Sequence, residues 1–204
     1  MTAHRRGRAL PSLSGLEKKY DALGTPDYVS ADHAKQLLPE WKDVGNRAAI
    51  EESIHPDASK VAYDLFRQKL DRVKPGDNVL LVTGPVAAGK TTFSMDARKK
   101  AALSYEVNLS NYEKAKEHID GILAHGAKPD ILYIHTSPEL SAERRALRAI
   151  TENRPVSIDR STHQHIDLPK TLARLVKEYG NRINVTVLDS SRTGAPSVPA
   201  CRAI

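Results

Sequence analysis

The sequence is poor in cysteine and in aromatic residues, and it contains no long apolar run. Its single cysteine, Cys201, cannot form an intrachain disulfide and excludes a metal cage of several thiolates. Aromatic residues make up 5 % of the 204 residues, which does not favour a base-stacking surface for single-stranded nucleic acid. No apolar run approaches the ~20 residues that cross a bilayer, and residues 1–8 lack the apolar segment of a signal peptide. These absences predict a cytoplasmic protein that does not enter a membrane.

Charge is unevenly distributed along the chain. The net charge is +6, and part of the excess falls in residues 1–12, which we predict to be a basic, flexible arm. The remaining body is mildly basic and suits anionic nucleotides as well as nucleic acid. Residues 13–190 have the length of a single domain, and residues 191–204 are predicted to form a loose tail.

Apolar residues follow two different periods. Short runs predict strands, and the run from Val79 to Val82 is uninterrupted, as in a strand covered on both faces. Spacings of three and four predict a helix from Asp57, with Pro56 in its first turn. Another helix is expected to reach about Ala102, and Thr151 to His165 is a polar stretch between helices. The alternation predicts an α/β fold with a mostly parallel sheet flanked by helices on both faces.

A glycine-rich segment directly follows the strand at Val79 to Val82 and opens a helix. It fits the phosphate-binding P-loop pattern G-x-x-x-x-G-K-[ST] in the structural context that this pattern requires. In such a loop, backbone N–H groups and the start of a helix make a positive concave site for phosphate oxygens. The sequence therefore predicts a P-loop NTPase-type fold that binds ATP. The segment consists of Gly84, Pro85, Val86, Ala87, Ala88, Gly89, Lys90 and Thr91.

Three side chains in and after this segment have predicted roles in phosphate chemistry. Lys90 brings a mobile positive charge to the outer phosphates. Thr91 is expected to offer its hydroxyl to a Mg²⁺ ion that bridges those phosphates, and Thr92 is expected near an inner phosphate. ATP and Mg²⁺ are therefore the predicted cofactors.

Several segments outside the loop resemble the zeta toxin family, P-loop kinases of toxin–antitoxin systems related to UDP-N-acetylglucosamine kinases. After the loop, the resemblance rests on Asn108 to Lys116, Ile131 to Arg148, Arg154-Pro155-Val156, His163 and Val185 to Ser190. Before the loop, it rests on Ser30 to Lys35, Leu38-Pro39-Glu40 and Ser53 to Ser59. These segments span most of residues 27–190, and of all the motifs only the P-loop is specific on its own.

The order of these segments differs from that of the family. In the family the P-loop precedes the segment with the catalytic aspartate, whereas here Asp32 and His55 precede Gly84. Either the domain is permuted, or the upstream similarity is a coincidence and the base lies elsewhere. In addition, Tyr105 to Asn108 stands where the family usually has an acidic-Gly-Thr triplet.

The resemblance implies catalytic roles for Asp32, Arg148 and Arg154, beside Lys90. Asp32 would be the base, because a carboxylate at the end of a strand can orient an acceptor hydroxyl and take its proton. The competing interpretation is that Asp32 caps a helix. Arg148 and Arg154, where such kinases place a lid, would stabilise charge on the transferring phosphoryl group. The alternative for each arginine is a solvated surface side chain.

Acidic and polar residues near these segments are candidates for binding the acceptor. Glu52 and His55 belong to the upstream part of the resemblance, and Glu106 and Asn108 lie at the end of a strand, where ligands collect in open α/β sheets. Glu51 competes with Glu52 and Glu106 for such a role. A surface salt bridge is the alternative for each of these carboxylates.

Together these patterns predict a kinase that transfers the γ-phosphate of ATP to a hydroxyl of a nucleotide sugar such as UDP-N-acetylglucosamine. The resemblance also implies an antitoxin protein as a partner. Two alternatives stay open: a nucleotide-binding protein without transfer activity that contacts nucleic acid or a protein, and a kinase whose acceptor is a nucleoside, a dinucleotide or an RNA end. The P-loop does not distinguish acceptors, because acceptor choice depends on the shape of the pocket.

Overall fold

A twisted sheet of mostly parallel strands forms the centre of the protein. The computed structural model describes residues 13–151, 158–191 and 198–199. Within these residues the strand order is β1-β3-β2-β4-β5-β6, and every pairing is parallel except that of β6 with β5. The predicted α/β architecture is thereby confirmed. The strands are β1 Tyr28–Ser30, β2 Asn78–Thr83, β3 Leu103–Glu106, β4 Lys128–His135, β5 Asn184–Asp189 and β6 Val198–Pro199.

Helices flank the sheet and connect its strands. The longest, α3, runs beneath β1 and β3, and α6 packs against β4 and α8. Among the described residues no helix is long and apolar enough to cross a membrane. The helices are α1 Leu13–Asp21, α2 Ala31–Lys35, α3 Arg47–Leu70, α4 Lys90–Phe93, α5 Met95–Arg98, α6 Tyr112–Ala124, α7 Pro138–Thr151 and α8 Ile158–Tyr179, with short 3₁₀ helices at Pro39–Lys42, Val44–Asn46 and Gly180–Arg182.

The two faces of the sheet carry cores of different size. Successive side chains of a strand point to opposite faces, so Val79 and Leu81 of β2 join the larger core while Leu80 and Val82 join the smaller one. The larger core includes residues of α1, α3, α6 and α8. The smaller core is completed by residues of β4 and by Ala97 of α5. Burial on both faces explains why the β2 sequence is an unbroken apolar run.

The strand order brings together the carboxyl ends of three strands that are far apart in sequence. Although β1 precedes the P-loop by some fifty residues of sequence, it pairs with β3, and β3 pairs with β2. Ser30 at the end of β1 and Val82 near the end of β2 both lie opposite Glu106 of β3. Residues that follow β1, β2 and β3 therefore share one edge of the sheet.

The start predicted for α3 is wrong. The helix begins at Arg47, not Asp57, and Pro56 lies inside it. The apolar spacing in the sequence starts at Ala58, but the buried face continues upstream through Ile54 to Glu51. A buried glutamate does not contribute to an apolar pattern, so the first turns of the helix gave no signal.

Two further boundaries also differ from the predictions. The helix after the P-loop was expected to reach about Ala102, but it breaks at Ser94 and α5 ends at Arg98. The backbone N–H of Ala102 instead donates to the carbonyl of Asn78, which leads the chain into the sheet. The stretch predicted to separate two helices contains the start of α8, and among residues 161–165 the buried side chains are the polar Ser161 and Gln164.

Some predicted features lie outside the described residues. These are the basic arm at residues 1–12, the lid residue Arg154, and residues 192–197 and 200–204 of the predicted tail.

Replacing one isoleucine at a time tests where the core lies. Ile131 of β4 is 1 % exposed, so Ile131→Ala is expected to lower the free energy of unfolding by about 2–5 kcal/mol. Ile166 of α8 is 49 % exposed, and Ile166→Ala is expected to change it by less than about 0.5 kcal/mol. Urea unfolding of both variants measures the difference. Equal losses would contradict the position of β4 in the core.

Candidate active site

The P-loop bends sharply away from β2 and presses against β4. Gly84 has a φ of 156°, and a Cβ atom at this position would collide with the carbonyl oxygen of Ile134. Gly89, directly before α4, has a φ of 82°, and Ala87 takes a φ of 61° that is uncommon for a residue with a Cβ atom. Only glycine fits at Gly84, because the turn needs both the unusual φ and the close backbone approach.

The Lys90 side chain folds back over the loop. Its ammonium donates to the carbonyl oxygens of Gly84 at 3.2 Å and of Pro85 at 3.1 Å. It also lies 3.7 Å from Oε1 of Glu106, and the side chain is 17 % exposed. The ammonium is thus fixed beside the concave side of the loop and is partly shielded from water, where its charge acts more strongly on an anion.

Side chains of α7 and α8 hold the tip of the loop. Oε1 of Gln164 accepts a hydrogen bond from the Val86 N–H at 2.9 Å, and Ser141 Oγ donates to the Val86 carbonyl at 2.8 Å. Arg144 makes a longer contact of 3.4 Å with the carbonyl of Ala87. The sequence predictions missed Gln164 and Ser141, because a single polar residue on a helix has no recognisable spacing.

Tyr28 and Glu106 form a hydrogen-bonded pair next to Thr91. The Tyr28 hydroxyl donates to Oε2 of Glu106, and the guanidinium of Arg98 stacks on the tyrosine ring at 3.5 Å. Burial raises the pKa of Tyr28 far above its usual value, with the Glu106 charge adding to the effect, and the hydroxyl also interacts with Thr91. Tyr28 is therefore a permanent donor that fixes the Glu106 carboxylate beside Lys90.

Asp32 does not cap a helix. Ser30 is the cap of α2, since its Oγ accepts from the N–H of His33 at 3.1 Å, and Asp32 lies in the first turn. The competing interpretation of Asp32 is thus wrong. Oδ1 of Asp32 accepts from the ammonium of Lys35 at 2.9 Å, and the side chain is 47 % exposed.

A cleft of about 1130 Å³ collects most of the predicted site residues. A neighbouring cavity of about 840 Å³ shares Asp32, Thr91 and Arg148 with it. The two cavities therefore meet where the phosphoryl-transfer residues were expected. The predicted residues that line the cleft are Asp32, His55, Gly84, Val86, Ala87, Gly89, Lys90, Thr91, Thr92, Glu106, Asn108 and Arg148.

A few predicted residues lie elsewhere or are already engaged. Glu52 is exposed and is not part of the cleft wall, whereas its neighbour Glu51 is buried and lines the cleft. Pro85 and Ala88 are buried in the loop and do not line the cleft. The side-chain oxygen of Asn108 accepts two hydrogen bonds from Ser110, so it serves a turn at the cleft wall.

One wall of the cleft includes an unusual histidine. His118 of α6 is 9 % exposed and lies among the rings of Tyr63, Phe66 and Tyr105, with centroid distances of 5.4, 6.3 and 5.5 Å. Burial lowers the pKa of His118 to about 4. The imidazole is therefore neutral near pH 7, and this part of the wall is uncharged and largely aromatic.

The fold and the loop define the class of the protein. A mostly parallel sheet whose second strand runs into a P-loop is the P-loop NTPase type of α/β fold. A family model described as Zeta toxin matches residues 97–194, which is just under half of the chain and begins after the P-loop. This match confirms the zeta toxin resemblance and indicates a kinase-like phosphotransferase. No curated protein matched the chain.

The tight turn at Gly84 can be tested with two glycine replacements. Gly84→Ala is expected to lower the free energy of unfolding by about 1–3 kcal/mol or to displace the loop, because the new methyl group meets the Ile134 carbonyl. At Gly121 of α6 an added methyl group would have no neighbouring atom within 4 Å. Gly121→Ala is therefore expected to raise the free energy of unfolding by up to about 1 kcal/mol. Urea unfolding measures both values. A neutral Gly84→Ala variant that still binds nucleotide would contradict the loop geometry.

The buried histidine predicts a dependence of stability on pH. In the unfolded chain a histidine takes up a proton below about pH 6.5, whereas folded His118 stays neutral down to about pH 4. Between these values the unfolded state binds more protons, so the free energy of unfolding falls as the pH falls, by about 1 kcal/mol from pH 7 to 5.5. His118→Gln is expected to remove this part of the pH dependence.

The matched control is His163→Gln, since the His163 side chain is 75 % exposed. Urea unfolding of wild type and both variants at pH 7 and pH 5.5 separates the contribution of His118 from that of the other groups. An unchanged pH dependence in His118→Gln would show that the imidazole is protonated without cost in the folded protein.

Proposed function

We propose that this protein is an ATP-dependent kinase that transfers the γ-phosphate of ATP to a hydroxyl of a nucleotide sugar such as UDP-N-acetylglucosamine. The observation that carries the proposal is that Lys90, Thr91, Glu106, Asp32 and Arg148 line one cleft. A phosphate-binding lysine, a magnesium-binding hydroxyl, a carboxylate base and a guanidinium are the parts that phosphoryl transfer needs.

The loop fits the phosphates of ATP. Its concave side carries the Lys90 ammonium, and the close approach of Gly84 to the Ile134 carbonyl fixes the bend with which the loop begins. Thr91 would hold Mg²⁺ together with oxygens of the nucleotide. When bound, Mg²⁺ neutralises charge on the phosphates and so favours transfer. Glu106, fixed by Tyr28 and 3.7 Å from Lys90, is placed to keep the ammonium oriented.

Asp32 is the proposed base. It follows β1 at the sheet edge where the P-loop follows β2, and it lines both cavities together with Thr91. An acceptor hydroxyl in the cleft can donate to the exposed part of the carboxylate, which then takes the proton as the bond to phosphorus forms. Asp32 precedes the P-loop in the sequence, but this order does not prevent the proposed role. The pairing of β1 with β3 brings Asp32 to the same edge of the sheet as the loop.

Arg148 is the proposed cation for the transferring group. It lines both cavities next to Thr91, and a guanidinium stabilises charge on phosphoryl oxygens with aligned donors. Arg154 has the same proposed role and lies outside the described residues. An antitoxin protein is the proposed partner, in line with the toxin family that the chain resembles.

Transfer activity and its loss in two variants test the proposal. Wild type with Mg·ATP is expected to add one phosphate to UDP-N-acetylglucosamine, or to another member of a panel of nucleotide sugars, nucleosides and dinucleotides. Lys90→Ala is expected to lower the rate about 100-fold or more, and Asp32→Asn by about 10²- to 10⁴-fold. Mass spectrometry of the acceptor measures the gain of a phosphate.

Exposed partners in one ion pair provide the controls. Lys99 and Asp96 have side chains that are 71 % and 90 % exposed, so Lys99→Ala and Asp96→Asn remove the same charges away from the cleft. Both are expected to retain wild-type rates. ATP binding without transfer to any acceptor would refute the kinase proposal and favour a nucleotide-binding protein. Full activity of a folded Asp32→Asn variant would remove Asp32 from the role of base.

A further inference from the structure

A glutamate is buried on the inner face of α3. Glu51 precedes Ile54 by three residues, and Ile54 precedes Ala58 by four, so the three side chains lie on one side of the helix. The carboxylate is 5 % exposed, whereas Ile54 and Ala58 are fully buried. A carboxylate is rarely buried unless it is paired, so its surroundings need an explanation.

Lys35 provides one partner for the buried carboxylate. Its ammonium donates to Oε1 of Glu51 at 2.5 Å and to Oδ1 of Asp32 at 2.9 Å, and the side chain is 1 % exposed. The ammonium also lies 5.2 Å from the centre of the Trp41 ring. One buried cation thus joins two carboxylates and ties the conformation of Glu51 to that of the proposed base.

The second carboxylate oxygen of Glu51 is not satisfied by this ion pair. Oε2 of Glu51 is buried and has no hydrogen-bond partner among the residues that the structure describes, although Glu51 lines the cleft. An ionised carboxylate only accepts hydrogen bonds, and a buried oxygen without a donor is unfavourable. A donor from a molecule in the cleft would satisfy it.

We infer that Glu51 is a specificity-determining residue whose Oε2 accepts a hydrogen bond from a hydroxyl or amide N–H of the phosphoryl acceptor. This inference rests on the proposed kinase function. Asp32, Lys35 and Glu51 together carry two negative charges and one positive charge, which disfavours an anionic part of the acceptor directly beside them. The group bound here is therefore uncharged and carries at least two donors, one for Asp32 and one for Glu51.

This requirement favours a sugar over a simple alcohol. A pyranose with neighbouring hydroxyl and acetamido groups presents two donors a few ångströms apart, as does the 2′,3′-diol of a ribose, whereas an isolated primary hydroxyl presents one. Phosphates of the acceptor would lie toward cations elsewhere on the cleft wall. Arg145 lines the cleft, and its buried Nε–H has no acceptor among the described residues.

The adjacent pair Glu51 and Glu52 provides a sharp experiment. In Glu51→Gln, the Lys35 ammonium needs the amide oxygen, so the amide NH₂ takes the place of Oε2 and faces the acceptor. The KM for UDP-N-acetylglucosamine is expected to rise at least 10-fold above that of Glu52→Gln, while the KM for ATP stays within twofold of wild type. Steady-state transfer kinetics give both constants, and calorimetric titration with UDP-N-acetylglucosamine gives binding without transfer.

A second variant covers the case in which Glu51→Gln does not fold. Glu51→Met fills a similar volume and leaves Lys35 paired with the proposed base Asp32 at 2.9 Å. This variant also lacks Oε2, so the same rise in the acceptor KM is expected. Thermal unfolding of each variant shows whether it is folded before kinetics are compared.

The outcomes separate the inference from the proposed function. Transfer by wild type with equal acceptor KM in Glu51→Gln and Glu52→Gln overturns the inference and leaves the kinase standing. Binding of the nucleotide sugar without transfer, weakened in Glu51→Gln, overturns the kinase and supports the binding role of Glu51. If wild type neither binds nor phosphorylates any acceptor in the panel, both are overturned.

Discussion

The alignment of strand ends in the parallel sheet is the constraint on which the candidate site depends. Parallel strands end at the same edge, so residues that follow β1, β2 and β3 meet there whatever their order in the chain. Glu106 lies opposite Ser30 on one side and Val82 on the other. The proposed base after β1 and the P-loop after β2 therefore flank one carboxylate. Asp32 therefore lies at the same sheet edge as the P-loop although it precedes the loop in the sequence.

Buried charge then fixes the side chains at this edge. Lys35 joins Asp32 to Glu51, Tyr28 joins Glu106 to the Thr91 side of the loop, and the Lys90 ammonium is held by loop carbonyls. Most of these groups are largely buried, so their interactions are weakly screened by water and their positions are well defined. Such preorganisation is what phosphoryl transfer requires, because positioning and electrostatics supply most of the catalysis.

The sequence predicted those parts of the protein whose signal is local. The P-loop is a contiguous pattern between a strand and a helix, and the apolar run of β2 reports burial on both faces. The start of α3 and the start of α8 could not be predicted, because their inner faces carry Glu51, Ser161 and Gln164 in place of apolar residues. Glu51 pairs with Lys35 and Gln164 with the N–H of Val86, and no local pattern reports such distant partners.

The same reason separates Glu51 from Glu52. Both are glutamates in one segment, and sequence spacing gives no preference between them. Helix geometry distinguishes the two glutamates, because consecutive side chains point about 100° apart and only Glu51 faces Lys35. Once that lysine is buried beside Asp32, the acid that pairs with it also lies at the cleft. Glu51, which interrupts the apolar pattern of α3, is thus the residue expected to recognise the acceptor. Breaks in a local sequence pattern are expected at functional sites.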